Sequence, residues 1–234
     1  MTGSSTNKPQ LSIIVPVLNE ITGIELFVAH LKSQWRHPQE LIFVDGGSTD
    51  GTWEWLQKKS FQAVQSTPGR AIQMNIGAAR ASCDNFYFVH ADSRVPKHFD
   101  VHLLDAHKKG IKAACFQLQF DAENWLLNTA ALGSKWNHLL CRGGDQSLFV
   151  SRSLYEILGG FDPRYKVCED LDFFKKLYKT TAFKVLEPRI TTSSRRFLEN
   201  GILRLFCHFR ILHFMHWLGI GPHSLTWYYH WTVR

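Results

Sequence analysis

Three short runs in the first hundred residues, LSIIVPVL (11–18), LIFV (41–44) and FYFV (86–89), are apolar at nearly every consecutive position. β-Branched and aromatic side chains without a polar face suit strands covered on both sides, as in a parallel sheet. Between and around them lie segments with helical periodicity, 21–34, 52–59 and 70–81. This alternation predicts βαβ units: an α/β, doubly wound, mostly parallel sheet flanked by helices. Beyond residue 110 the pattern is more mixed. AACFQLQFD reads as a strand, 123–140 as a helix, and SLFVSRSLYEILGGFDP as strand, short helix and turn. EDLDFFKKLYK (169–179) is helical, FKVLEPRITTSSRRF extended, and a helical pattern resumes near 201.

The strand ends carry the first chemical signal. The first run leads into Asn19-Glu20, the second into Asp45-Gly46-Gly47-Ser48, the third into His90-Ala91-Asp92. Ligands of open α/β sheets bind outside the carboxyl ends of the strands. Turns are polar anyway, so one such end means little; three neighbouring ones mark a candidate site.

The net charge of +7 suits a phosphorylated ligand, nucleic acid or an anionic membrane. From Lys184 onward seven Lys or Arg face only Glu187 and Glu199, so +5 of that charge lies in the C-terminal part. Its basic residues are interleaved with bulky apolar ones, which argues against a nucleic-acid partner. The five cysteines (83, 115, 141, 168 and 207) are widely spaced without C-x-x-C. That speaks against a disulfide framework or zinc site and fits a reducing cytosol. Residues 1–10 read as a flexible polar tail without a signal-peptide core, and no run of eighteen apolar residues occurs.

VDGGSTDGT (44–52) is glycine-rich after a strand, but its spacing is not G-x-G-x-x-G. Ser48 or Thr49 is a candidate helix N-cap, and Asp45 a candidate acceptor for a base or ribose. In PGRAIQMNIGAARA (68–81), Ile72, Ile76 and Ala79 form an apolar stripe, while Arg70, Gln73 and Gly77 share another face. Glycine within a helix costs about 1 kcal/mol relative to alanine, which makes sense where a strand or ligand must come close. Arg70 at the helix start can meet a phosphate or stay solvated.

In order, P-x-x-N-E, VDGGSTDGT, P-G-R-x-x-Q-M-N-x-G-A, H-A-D-S-x-x-P, G-D-Q-S-L-F-V, E-D and T-T-S-S-R-R-F resemble glycosyltransferase family 2, of the Rossmann-like GT-A fold. Within it they look like the arsenosugar-biosynthesis or selenodomain-associated glycosyltransferases, over roughly residues 11–220. The resemblance implies a GT-A domain over 11–198, with a nucleotide-sugar half (11–110) and an acceptor half (111–198). Residues 199–234 form a C-terminal helical extension.

What the resemblance implies residue by residue follows the same motifs. The family's D-x-D usually holds Mn²⁺ or Mg²⁺ against the donor diphosphate. Asp92 stands for its last acid and His90 replaces its first, so Asp92 would be the metal ligand and His90, with Ala91, a nucleotide contact. One carboxylate suffices where a hard ion keeps waters and takes diphosphate oxygens. Pro16, Asn19, Glu20, Gly47 and Asn75 would line the nucleotide-sugar site, with Asp45 reading the base, usually uracil. Arg70, Arg195 and Arg196 would meet base or diphosphate, although the family's Q-x-x-R-W is absent. Glu169-Asp170 matches the catalytic E-D, Asp170 being the general base; as bare sequence, EDLD reads as an acidic first helical turn, favourable by the helix dipole alone. Asp145 and Gln146 would face the acceptor.

These roles together describe an inverting transferase of a nucleoside-diphosphate sugar, a UDP-sugar by family habit, to a small-molecule or lipid hydroxyl. A nucleotidyltransferase on a related sheet is the rival; it lacks here a basic, glycine-rich loop after the first strand. A silent nucleotide-sugar binder is the other. The C-terminal GILRLFCHFRILHFMHWLGIG is apolar almost all round and calls for burial: against its own domain, in a homodimer, or on a membrane surface. His208, His213 and His216 lack a zinc pattern and read as core or interface histidines.

Overall fold

The computed structural model describes residues 8–143 and 146–233. Its seven-stranded sheet comprises β1 (Ser12–Val17), β2 (Glu40–Asp45), β3 (Gln62–Gln65), β4 (Asn85–Phe88), β5 (Ala113–Phe120), β6 (Leu148–Ser151) and β7 (Phe183–Thr192). The spatial order is β3-β2-β1-β4-β6-β5-β7. β1 pairs in parallel with β2 and β4, β2 with β3, and β5 with β7. β6 is antiparallel to both its neighbours, β4 and β5.

The unbroken apolar runs follow from a sheet buried on both faces. Ile13, Val15, Phe43 and Tyr87 pack on one face against α1 (Ile24–Gln34) and α4 (Phe99–Lys108). The alternate residues Ile14, Phe86 and Phe88 pack on the other. There they meet Met74 and Ala78 of α3 (Arg70–Arg80) and Phe173 and Phe174 of α7 (Glu169–Thr180). α2 (Thr52–Lys58) borders β2, and α6 (Arg152–Ile157) follows β6. A third cluster joins Phe120 to Leu127 of α5 (Trp125–Gly133), Phe197 of α8 (Arg195–Asn200) and Leu205 of α9 (Ile202–Trp217). Val233, after α10 (Pro222–Thr232), completes it.

Several local expectations change. The predicted helix 123–140 stops at Gly133, leaving a 3-10 turn at Leu139–Cys141. The buried Arg142 guanidinium binds the carbonyls of Ser134 and Trp136, which a continuing helix would need. The extended segment ends at Thr192, where Asp121 accepts from Ser194 N and α8 begins. Neither Ser48 nor Thr49 caps α2; Asp50 accepts from Thr52 N, and the Ser48 hydroxyl turns to Asp45. On α3 the Gln73–Gly77 face, not the Ile72–Ile76 stripe, is buried. A Cβ on Gly77 would lie 2.3 Å from Ile14 Cγ2, so the close approach it serves is to a strand. The C-terminal pattern divides into α9 and α10 around Gly219 and Gly221, and much of it stays exposed. Among the described residues no helix is long and apolar enough to cross a membrane.

Candidate active site

The turns after β1 and β2 are laced together. Ser48 Oγ accepts from Asn19 N, Asn19 Oδ1 accepts from Thr49 N, and Thr52 Oγ1 accepts from Glu20 N. Asn19 takes a left-handed backbone (φ 57°) in this exchange, a conformation asparagine tolerates better than most residues. Behind it, the Gln73 amide donates to Val17 O and Val44 O, tying α3 to the ends of β1 and β2. Asp45 is fully buried and accepts from Gly47 N, Ser48 N and Ser48 Oγ.

The turn after β4 is built differently. Val89 N donates to Ile14 O, Ser93 N closes back on His90 O, and Arg94 forms a two-way backbone bridge with Thr191. Held on both flanks, Asp92 keeps an exposed carboxylate between them.

Asp92 borders a cavity of about 530 Å³ over the carboxyl ends of β1 and β4. Pro16 and Glu20 line it from β1, His90 and Ala91 from β4, and Arg70 from the first turn of α3. Glu169 and Asp170 open α7 on its far side, and Arg196 of α8 contributes a second guanidinium. Nine of the expected site residues thus meet in one space. Asn19, Asp45, Gly47, Asn75, Arg195 and Gln146 lie outside its lining. Asn75 instead bridges α3 to Phe161, donating to its carbonyl and accepting from its amide and from Tyr155 O–H. Gln146 is buried, and Asp145 falls outside the described residues.

Acids and guanidiniums are intermixed in the cavity. Glu20 has its carboxyl pKa raised, first by burial and then by the negative charge of Asp92, against the pull of Arg195 and Arg70. Burial also pushes the Glu169 carboxyl up, to about 7, with Asp170 adding to the rise and Arg70 and Arg196 opposing it. Cys168 takes a left-handed conformation (φ 63°) immediately before α7. The helix dipole favours the acids that follow. One oxygen of Asp170 is buried with no hydrogen-bond partner among the described residues. Arg196 donates to Tyr229 Oη at 2.5 Å and lies 5.7 Å from the Phe209 ring centroid.

The described residues contain no group of three or more His, Cys, Asp or Glu arranged to hold a metal. They do fit an ion completed by its ligand. Asp92 is accessible, His90 is two residues away, and the mutual repulsion of Asp92 and Glu20 would be relieved by a cation.

Sequence reasoning missed the wall opposite the strands. Phe209, Leu212 and His213 of α9, Tyr229 of α10 and Lys166 before α7 all line the cavity. Their only sequence signal is the apolar C-terminal pattern, which gives no hint of where the helices dock.

Residues 12–156 match the family described as Glycosyl transferase family 2. Two uncharacterized glycosyltransferases, from two strains of Mycobacterium tuberculosis, are each 35% identical over 94 residues. That alignment covers 38% of this chain and only 36% of each relative. Among solved structures, the mannosyltransferase PcManGT of Pyrobaculum calidifontis, in complex with GDP-Man and Mn²⁺, superposes with a TM-score of 0.70 at 19% identity. The superposition covers 92% of this chain and 66% of that one. Residues 1–349 of Staphylococcus aureus TarS, in complex with UDP-GlcNAc, give 0.64 at 17%, over 79% of this chain and 58% of that fragment. The mixed sheet with its flanking helices is therefore the GT-A fold. With more than half its length matched by the family, the chain belongs to glycosyl transferase family 2.

Proposed function

We propose that this chain is an inverting glycosyltransferase that moves a sugar from a nucleoside-diphosphate sugar, a UDP-sugar in the first instance, to a hydroxyl acceptor. Residues 11–110 take the donor, and residues 111–198 present the base to the acceptor. The resemblance to the arsenosugar-biosynthesis and selenodomain-associated subfamily belongs to this reading. The observation that carries it is the single cavity whose lining gathers Asp92, Arg70 and Arg196 together with Glu169-Asp170. Solved relatives with the same fold hold GDP-Man with Mn²⁺ or UDP-GlcNAc.

The acceptor oxygen attacks the anomeric carbon as the bond from that carbon to the diphosphate oxygen breaks. The diphosphate leaves with the electron pair, and the acceptor proton passes to the Asp170 carboxylate. A single displacement inverts the anomeric centre. The unpartnered Asp170 oxygen suits this role, because an acceptor hydroxyl would supply the missing donor. Burial raises the Glu169 carboxyl to about 7, so near neutral pH it carries only part of a negative charge beside the nucleophile. Arg70 and Arg196 offset the charge growing on the departing diphosphate. Asp92, with His90 beside it, would hold Mn²⁺ or Mg²⁺. When bound, that ion neutralises diphosphate charge and so favours its departure.

Thermal-shift screening against UDP, GDP, CDP and dTDP sugars, with and without Mn²⁺, identifies the donor. Asp170→Asn is expected to keep the wild-type shift with UDP while transfer drops by about 10²–10⁴. Undiminished transfer in that variant removes Asp170 as the base.

A further inference from the structure

The last 35 residues present two opposite faces. Inward, α9 and α10 wall the cavity through Phe209, Leu212, His213 and Tyr229. Outward, Leu203, Cys207, Ile211, Phe214 and Leu218 recur at spacings of four, four, three and four, which sets them on one helical face. All five are exposed. On α10, Trp227 and Trp231 are 68% and 71% exposed and stack on each other at 6.0 Å and 8°. Phe214 stacks likewise on Trp217, which is 61% exposed. Of fifteen large apolar side chains exposed among the described residues, seven fall in α9, α10 and the turn between them. A protein surface meant only for water rarely concentrates apolar groups in this way.

Charge selects the occupant. Residues 200–234 contain three arginines, five histidines and no Asp or Glu. Arg204, Arg210, His223 and His230 are exposed alongside the apolar stripe. A second copy docked through the same face would set these cations against their own equivalents with no acid to offset them. Lipid phosphates offer the complementary sign, and tryptophan favours the boundary between headgroups and acyl chains. Helices of eleven and sixteen residues that cannot span a bilayer can lie in its surface.

We propose that the outward face of α9 and α10 docks this chain on an anionic lipid bilayer. Tryptophan and leucine side chains enter the interface, and arginines sit among the phosphates. Docking there sets the acceptor side of the cavity beside lipid and makes a lipid-borne hydroxyl the favoured acceptor class. That consequence rests on the transferase reading; vesicle binding does not, so the two can fail separately.

The test uses the full chain with extruded vesicles of phosphatidylcholine, with and without phosphatidylglycerol. Co-sedimentation is expected with the anionic vesicles, weakening as NaCl is raised. Trp227→Ser with Trp231→Ser should lower the partition coefficient by about tenfold. Quenching of wild-type tryptophan fluorescence by brominated lipid reads insertion without depending on how the variant folds. Absence of binding to anionic vesicles at low salt, or binding without quenching, overturns the proposal. So does a stable dimer in solution that the same double substitution dissolves.

Discussion

Asp45 and Asp92 stand at the carboxyl ends of β2 and β4, the two strands that flank β1, and read alike in sequence, yet the chain treats them in opposite ways. The turn after β2 folds its own amides and hydroxyl around Asp45, and Gln73 locks the strand ends behind it. The turn after β4 is anchored at its flanks and leaves Asp92 open to the cavity. A carboxylate whose hydrogen-bonding capacity is filled by the local backbone builds the frame; one held up by its neighbours but left open can take a ligand. A related contrast separates Gly77, pressed against Ile14 and Val44, from Asp170, one of whose oxygens is buried with no hydrogen-bond partner among the described residues.

The sharpest way to break the contrast is Asp92→Asn. Transfer should fall by about 10²–10³, with the melting temperature within ~2 °C of wild type. A large loss of stability would put Asp92 in the frame. Gly77→Ala should do the reverse. With a Cβ 2.3 Å from Ile14, it should cost about 1–3 kcal/mol in urea unfolding while the fraction that remains folded still binds nucleotide. Asp45→Ala leaves the Gly47 and Ser48 donors without their acceptor, for about 1–2 kcal/mol by the same measurement.

A further expected effect, spread over several pH units, is a pH dependence of stability. Glu169 is raised from 4.5 to about 7 in the folded state, so the native protein binds its proton more tightly than the unfolded chain. Its contribution to stability is complete below about pH 4.5 and fades as pH rises through about 7, by at most ~3 kcal/mol. Glu169→Gln should flatten that slope between pH 5 and 8. An unchanged slope would mean that another group carries it.

The central strands were legible because burial on both faces keeps β1, β2 and β4 apolar between their ends, with polar residues only at the margins (Ser12, Glu40, Asp45 and Asn85). β3 was not: QAVQ is a short edge strand with exposed glutamines, and nothing in its periodicity separates it from a loop. α4 was overlooked because FDVHLLDAHK mixes histidine and aspartate into its apolar spacing. One of these, Asp100, is a buried acceptor for the amides of Arg36 and His37. The reversal of β6 leaves no local trace, since an apolar strand reads the same in either direction. At the site, motif order led to Asp92, Arg70 and Glu169-Asp170. It could not tell Arg196, which lines the cavity, from Arg195, which is outside the lining and acts on Glu20 by its charge. That choice depends on where the turn of α8 falls after Ser194.

Asn75 joins α3, whose first residue reaches the cavity, to Phe161 in the segment that leads to Glu169. One amide thereby clasps two stretches of chain 86 residues apart. Fragments cut at residue 110 would have to find each other again before this clasp could re-form, and a small tilt of α3 at Arg70 would be passed toward Glu169. Under the proposed function, the donor-side helix and the segment bearing the acceptor acid would therefore be held in register by a single side chain.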